Sequence, residues 1–319
     1  MKRLFLLAVV GGLAYGAWIL TKPATPPKSV LIDYERGMPS NTLAAKLGEA
    51  GVADPIAFRV ARLLRFGKRL QAGEYKFEKP ATSLQIVDRL IAGDVHYYEV
   101  LIPEGANKFD VADILSRADL GDAAAIVKSI REGSLFPATY RYTKHSNATQ
   151  LIAQMQTRFD RAWRDLNPGD ANRERTVTLA SLIEKEAVVA EDRPIIASVF
   201  ENRLRQGMKL DCDPTVVYAA LLEGKYRGTI YRSDLERESA YNTYKVAGLP
   251  PGPIANPGLA SLRAALKPAQ TEYLFFVARP GGGGRHVFSK TLAEHNRAVL
   301  EYRRGEQSAS TRGTAGGAR

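Results

Sequence analysis

Thr178–Val189 (TLASLIEKEAVV) has the period of a helix but no polar face. A helix that is apolar nearly all round has to be enclosed by other elements, so the chain must build a helical core around this segment. Two acids, Glu184 and Glu186, interrupt it, and neither has a Lys or Arg three or four residues away. A carboxyl group among Leu, Ile and Val holds its proton to higher pH than an exposed one, as a general acid requires. Residues two apart point about 200° apart on a helix, so only one acid faces a given cleft. Helical phase leaves the choice open: Glu186 lies with Leu179, Leu182 and Ile183, and Glu184 with Ala180, Ala187 and Val188. The smaller neighbours of Glu184 leave more room for a substrate. The competing reading is that both acids pair with distant arginines, as structural ion-pair networks do.

The chain has 319 residues, 45% of them hydrophobic, enough for one large domain or two modest ones. Its net charge of +11 fits nucleic acid, an anionic membrane surface or an acidic polymer. A single cysteine, Cys212, excludes an internal disulfide framework. Met1-Lys2-Arg3 precedes an uncharged apolar run from Leu4 to Leu20. We expect a transmembrane helix with a cytoplasmic start, a single-pass protein of the inner membrane with its body in the periplasm and no nucleic-acid partner. A signal peptide cleaved near Ala14-Tyr15-Gly16 is the alternative; Trp18, Ile19 and Leu20 continue the apolar run past that point and favour retention.

The fold class expected is α+β: an N-terminal membrane helix, a strand–helix–helix–strand subdomain, and a mainly helical domain with a small sheet. Residues 1–28 hold the cytoplasmic start, the membrane helix and a Pro-rich linker; 29–97 the first subdomain; 98–148 a second α/β unit; 149–304 a catalytic domain; and 305–319 a disordered tail. A weak repeat offset by 68 residues pairs Gly37, Ala44, Leu47, Ala50, Asp54 and Ala57 with Gly105, Ala112, Leu115, Ala118, Asp122 and Ala125. Any two amphipathic helices share apolar positions, but the matched Gly and Asp are not explained that way. Tyr231–Pro268, rich in Pro, Gly and Asn, reads as a long loop of the kind that carries function. Tyr273–Ala278 reads as a buried strand, paired through a glycine turn with His286-Val287-Phe288.

Tyr and Asn suit a sugar polymer, because rings cover the C–H faces of pyranoses and amides pair with hydroxyl and N-acetyl groups. They gather in Asn202-Arg203-Leu204, Asp213-Pro-Thr-Val-Val-Tyr218, Ala240-Tyr-Asn-Thr-Tyr244 and Gly248–Gly258. Turn chemistry alone also accounts for each Gly/Pro cluster. No Cys/His spacing suits a metal, Gly281–Gly284 lacks the Lys-Ser/Thr ending of a phosphate loop, and no G-x-S-x-G element occurs. No cofactor is expected.

These segments, taken in order with Leu179-Ala-Ser-Leu-Ile-Glu184-Lys-Glu186 and His286-Val-Phe288, resemble the endolytic murein transglycosylases, the YceG-like family, over about half the chain. The resemblance implies a LysM-like fold for residues 29–97. It places the catalytic acid on the first glutamate of Glu-Lys-Glu, Glu184, and cleft-lining positions on Asp213, Thr215, Asn242, Tyr244 and Asn256; Asn202 and Tyr218 join them as candidate substrate-binding residues. It implies peptidoglycan glycan strands as substrate and penicillin-binding synthases as partners. Two departures stand out: Asp211 where the family has Gln, and Ala138 where Glu132-Gly-Ser-Leu-Phe-Pro-Ala-Thr-Tyr140 departs from the family's Asp. The activity implied is cleavage of the MurNAc–GlcNAc bond to a 1,6-anhydro end by one glutamate acting first as acid, then as base. A non-catalytic wall-binding scaffold for synthases and a hydrolase that leaves reducing ends are the alternatives.

Overall fold

The computed structural model describes residues 2–315. The chain divides into two compact units, residues 1–99 with 141–146, and residues 100–140 with 147–319.

The first unit opens with α1 (Lys2–Thr21), followed by β1 (Val30–Tyr34), α2 (Ser40–Glu49), α3 (Pro55–Leu64), β2 (Gly73–Phe77) and α4 (Ser83–Ala92). β1 and β2 pair antiparallel, Val30 opposite Phe77 and Tyr34 opposite Gly73. Local chemistry sets the helix starts. Asp54 accepts hydrogen bonds from the Ile56 and Ala57 N–H groups, with Pro55 in the first turn. Thr82 and Gln85 cap α4 reciprocally. Leu43, Leu47, Phe58, Tyr75, Ile86 and Leu90 are enclosed between the strands and helices.

Among the described residues no helix is long and apolar enough to cross a membrane. This corrects the expected transmembrane helix and, with it, the single-pass inner-membrane placement. The apolar run does form a continuous helix, α1, which contains glycines 11, 12 and 16, and Leu20 near its end packs on the first core.

β3 (Tyr98–Ile102), α5 (Lys108–Arg117), α6 (Ala123–Ser129) and β4 (Ala138–Tyr142) repeat the order β1-α2-α3-β2, and β3 pairs with β4. The matched residues do matching work. Gly37 and Gly105 both have positive φ, +86° and +74°, and Asp54 and Asp122 both cap the second helix of their unit. The first helices bury equivalent triplets, Leu43, Ala44 and Leu47 in one and Val111, Ala112 and Leu115 in the other.

The rest of the second unit is α7 (Ala148–Asp165), α8 (Arg173–Glu186), a 3-10 turn (Ala190–Asp192), α9 (Arg193–Arg205), α10 (Asp213–Leu222), α11 (Arg232–Leu235), α12 (Leu259–Leu266), the hairpin β5 (Phe275–Ala278) and β6 (His286–Ser289), and α13 (Leu292–Ala315). α8 is the enclosed helix that its composition demands, with every residue from Thr176 to Ile183 buried. It packs against α9, α10 and α12 in a core with Phe159, Trp163, Phe200 and Leu262. β5 is only partly buried, where a buried strand is expected. Among the described residues it pairs with β6 alone, in a two-stranded sheet. α13 runs past Arg303 to Ala315; the rest of the expected disordered tail, residues 316–319, lies outside the described residues.

Candidate active site

The C-terminal turn of α8 brings Glu184 out of the core at a point where three segments converge. Beyond α8 the chain turns at Ala187 and passes through the 3-10 turn into α9, which returns Arg193 to Glu184. The Arg193 Nη2 donates to Glu184 Oε1 at 3.3 Å, and its Nε donates to Ser261 Oγ on α12 at 3.2 Å. The Gly258 N–H, at the start of α12, donates to Glu184 Oε2 at 2.8 Å. This amide is one of the unpaired donors at a helix N-terminus and favours an anionic partner. The third segment is Pro103–Asn107, held by Gly105 N–H to Asn256 O at 3.0 Å and Asn256 N–H to Ala106 O at 2.9 Å. It carries Glu104, whose carboxylate lies so close over Gly258 that a side-chain carbon there would overlap it. Burial pushes the Glu104 carboxyl up, Glu184 adds to the rise, and Arg193 opposes it.

Glu184 is therefore paired with a distant arginine, as the competing reading of the buried acids holds, and its side chain is only 5% exposed. The pairing is monodentate and long for a charge-assisted hydrogen bond, which runs about 2.7–2.9 Å. Arg193 also lines an open cavity of about 360 Å³.

The Asn256 side chain bridges three segments. Its amide nitrogen donates to Ala106 O at 2.8 Å and Glu132 Oε1 at 3.3 Å, and its oxygen accepts from Leu135 N–H at 2.9 Å. Glu132 Oε2 accepts from the Lys108 N–H at 3.0 Å and the Tyr218 hydroxyl at 2.9 Å. Among the described residues no cation forms an ion pair with it, and burial pushes its carboxyl up to about 7. Tyr218 and Asn256 thus meet at Glu132 and hold the loops that carry Glu104 and Gly258.

The remaining sequence-predicted residues lie elsewhere. The Tyr244 hydroxyl donates to Asp213 Oδ1 at 2.6 Å, and Thr215 Oγ1 donates to Cys212 O at 2.6 Å. Asn242 is fully buried and spends its amide on the Leu235 and Arg237 carbonyls. Asp213 and Tyr244 lie near Glu186, which accepts from the Cys212 thiol at 3.1 Å; burial raises both the Glu186 carboxyl and the thiol. Glu186, Asp213 and Tyr244 border a cavity of about 350 Å³ with Arg203, Asp211 and His295. Asp211 adopts φ +49° and pairs with Arg203 at 3.0 Å. Asn202 ties α9 to the Thr271 and Tyr273 carbonyls at 2.9 and 2.8 Å. Among the described residues no group of three His, Cys, Asp or Glu side chains is placed to hold a metal ion.

A profile of the YceG-like family matches residues 32–301. The chain belongs to this family. An endolytic murein transglycosylase of Bacillus subtilis (strain 168) is 33% identical over 93% of this chain and 91% of that protein. One from Streptococcus pneumoniae (strain D39) is 33% identical over 54% of this chain but only 32% of its own length. A crystal structure of a yceG-like protein from Listeria monocytogenes superposes with a TM-score of 0.53 at 33% identity, covering 85% of this chain and 99% of that one. Glu104, Glu132, Arg193 and Ser261 are the site's residues that the sequence reading missed. Pro103-Glu104-Gly105, at the positive-φ glycine of the repeat, is the one local signal that pointed to Glu104.

Proposed function

We propose that this chain is a lytic transglycosylase that cuts inside peptidoglycan glycan strands, with Glu184 as its acid and base. The observation that carries the reading is the match to an endolytic murein transglycosylase along nearly the full length of both chains. The geometry supports Glu184 as the reacting group: a carboxylate beside a second carboxyl, a helix N-terminal amide and a guanidinium, that of Arg193, which itself lines an open cavity. Burial raises the Glu104 carboxyl, and the neighbouring Glu184 carboxylate adds to the rise.

Substrate opens the single contact to Arg193, and Glu184 gives its proton to the oxygen linking MurNAc C1 to GlcNAc. The C1–O bond breaks, the GlcNAc hydroxyl leaves, and the N-acetyl group stabilises the cationic C1. Glu184, now anionic, takes the proton of the muramic C6 hydroxyl as that oxygen bonds to C1. The product is a 1,6-anhydro end, Glu184 regains its proton, and no water is consumed. An ordinary glycoside hydrolase needs a second carboxylate as base or nucleophile; intramolecular attack by the C6 hydroxyl makes one dispensable.

The test is mass spectrometry of glycan products with Glu184→Gln, for which loss of anhydro ends is expected. Anhydro ends that persist in this variant, and vanish in Glu186→Gln, would transfer the role to Glu186, which has a cavity of its own. The synthase partnership rested partly on membrane anchoring, which the fold does not support; it now rests on resemblance alone, and co-purification with penicillin-binding synthases tests it.

A further inference from the structure

Two cavities meet along α7 and α12. The larger, about 870 Å³, is bordered by Phe136, Ala153, Arg158, Arg161, Leu166, Leu259 and Arg263. The smaller, about 360 Å³, shares Asp165, Leu166 and Arg263 with it and continues past Lys267 to Arg193. Together they make one groove that ends on the guanidinium bonded to Glu184. Five of its lining side chains are cationic (Arg158, Arg161, Arg193, Arg263 and Lys267), and one, Asp165, is acidic. Asp165 reaches only Arg161, at 3.8 Å with both side chains exposed, so it neutralises little of the rim. Arg158 is held over the Phe136 and Tyr140 rings, 5.3 and 5.7 Å from their centroids, which fixes its place on the rim.

We infer that this groove seats the peptide stem of the strand being cut, through its carboxylates. The inference rests on the transglycosylase reading and adds a subsite to it. In a stem-bearing strand the lactyl carboxyl of each muramic acid is tied up as the amide that holds the stem, so the sugars themselves are uncharged and the carboxylates that five cations can meet belong to the stem. The stem attached to each muramic acid is short, contains alanines and carries free carboxylates. Its methyl groups suit the floor of Phe136, Ala153, Leu166 and Leu259, and its carboxylates suit the guanidinium rim. A stem seated there places its own muramic acid beside Arg193. A carboxylate at that end of the groove competes with Glu184 for the guanidinium, so stem binding and release of the catalytic acid are one event.

The experiment uses the full chain and an Arg158→Ala/Arg263→Ala variant; both residues are exposed and outside the Glu184 cluster. Anhydro-end formation is measured on strands that retain their stems and on the same strands stripped by an amidase, which removes the stem carboxylates and leaves only the short lactyl carboxylate on the sugar, out of reach of the Arg158 and Arg263 rim. The variant is expected to raise KM on stem-bearing strands about tenfold or more, with kcat little changed and stripped strands unaffected. An equal rise on both substrates, or none on either, overturns the proposal. Binding of a synthetic stem tetrapeptide, of its fully amidated form and of inorganic polyphosphate is followed in parallel. Tetrapeptide binding that amidation and the variant both abolish supports the groove; polyphosphate binding without tetrapeptide binding overturns it. A chain that binds the tetrapeptide through these arginines yet forms no anhydro ends keeps the groove and loses the enzyme reading.

Discussion

Glu132 provides the most quantitative check on the site. Its carboxyl accepts from a backbone N–H, a tyrosine hydroxyl and an amide, none of them charged, and its pKa rises from 4.5 to about 7. The folded chain therefore holds this proton to higher pH than the unfolded chain does. The group's contribution to stability is complete below about pH 4.5 and is lost as pH rises through about 7. A rise of that size corresponds to an upper limit of about 3 kcal/mol. Glu132 also borders a surface cavity, so water lowers the cost of its charge and the expected loss is about 1–2 kcal/mol. Glu132→Gln keeps a carbonyl acceptor and removes the titration. Urea unfolding of both chains at intervals from pH 5 to 8 isolates the effect, because Glu186, raised in the same direction, is common to both. The variant is expected to gain on the wild type by about 1–2 kcal/mol across that range. A stability difference that is constant with pH, or that moves the other way, refutes the account of a buried, uncompensated acid.

Three further outcomes follow from the same contacts. Gly258 has ordinary backbone geometry, φ −75°, so Gly258→Ala costs only the overlap with Glu104; thermal unfolding should register a loss of about 1–3 kcal/mol, largely restored by adding Glu104→Ala. Asn202→Ala leaves the Thr271 and Tyr273 carbonyls without their donor and should cost about 2 kcal/mol in urea unfolding, with the glycan products unchanged in kind. Cys212 is buried with its thiol raised, so a thiol-reactive reagent should label it only after unfolding; prompt labelling of the native chain would contradict the Glu186 contact.

The local grammar of the chain was readable in advance. Periodicity and composition located α8 and its enclosure, and the matched Gly and Asp of the 68-residue repeat occupy equivalent turns and caps. The partners of the polar residues were not readable. An Asn in a Pro- and Gly-rich loop is chemically the same whether it faces a sugar or braces the loop. Asn242 and Asn256 both turn inward to backbone carbonyls. Arg193 is invisible to an i, i+4 search, since a chain reversal returns it to Glu184. The apolar start misled for a related reason: whether a helix end dissolves in lipid or packs on a neighbour is set by that neighbour, here the first core around Leu20.

Side-chain size around the two acids of α8 turned out to be the wrong criterion. The two do diverge as helical geometry requires, one to Arg193 and Gly258 and the other to Cys212. The room beside Glu184 is filled by backbone: Gly105 and Gly258 come close enough that the first would bring a side-chain carbon to 3.5 Å from Glu184 and the second donates to it. What separates the acids is how readily each can change partners. Glu186 accepts from a buried thiol and, although it borders a cavity of its own, has no ion pair there among the described residues. Glu184 is held by one long ion pair to an arginine that borders open space, and an anionic ligand can draw that arginine away. The proposed role, giving up a proton and recovering it within one turnover, needs a partner that can leave, and Arg193 is such a partner for Glu184.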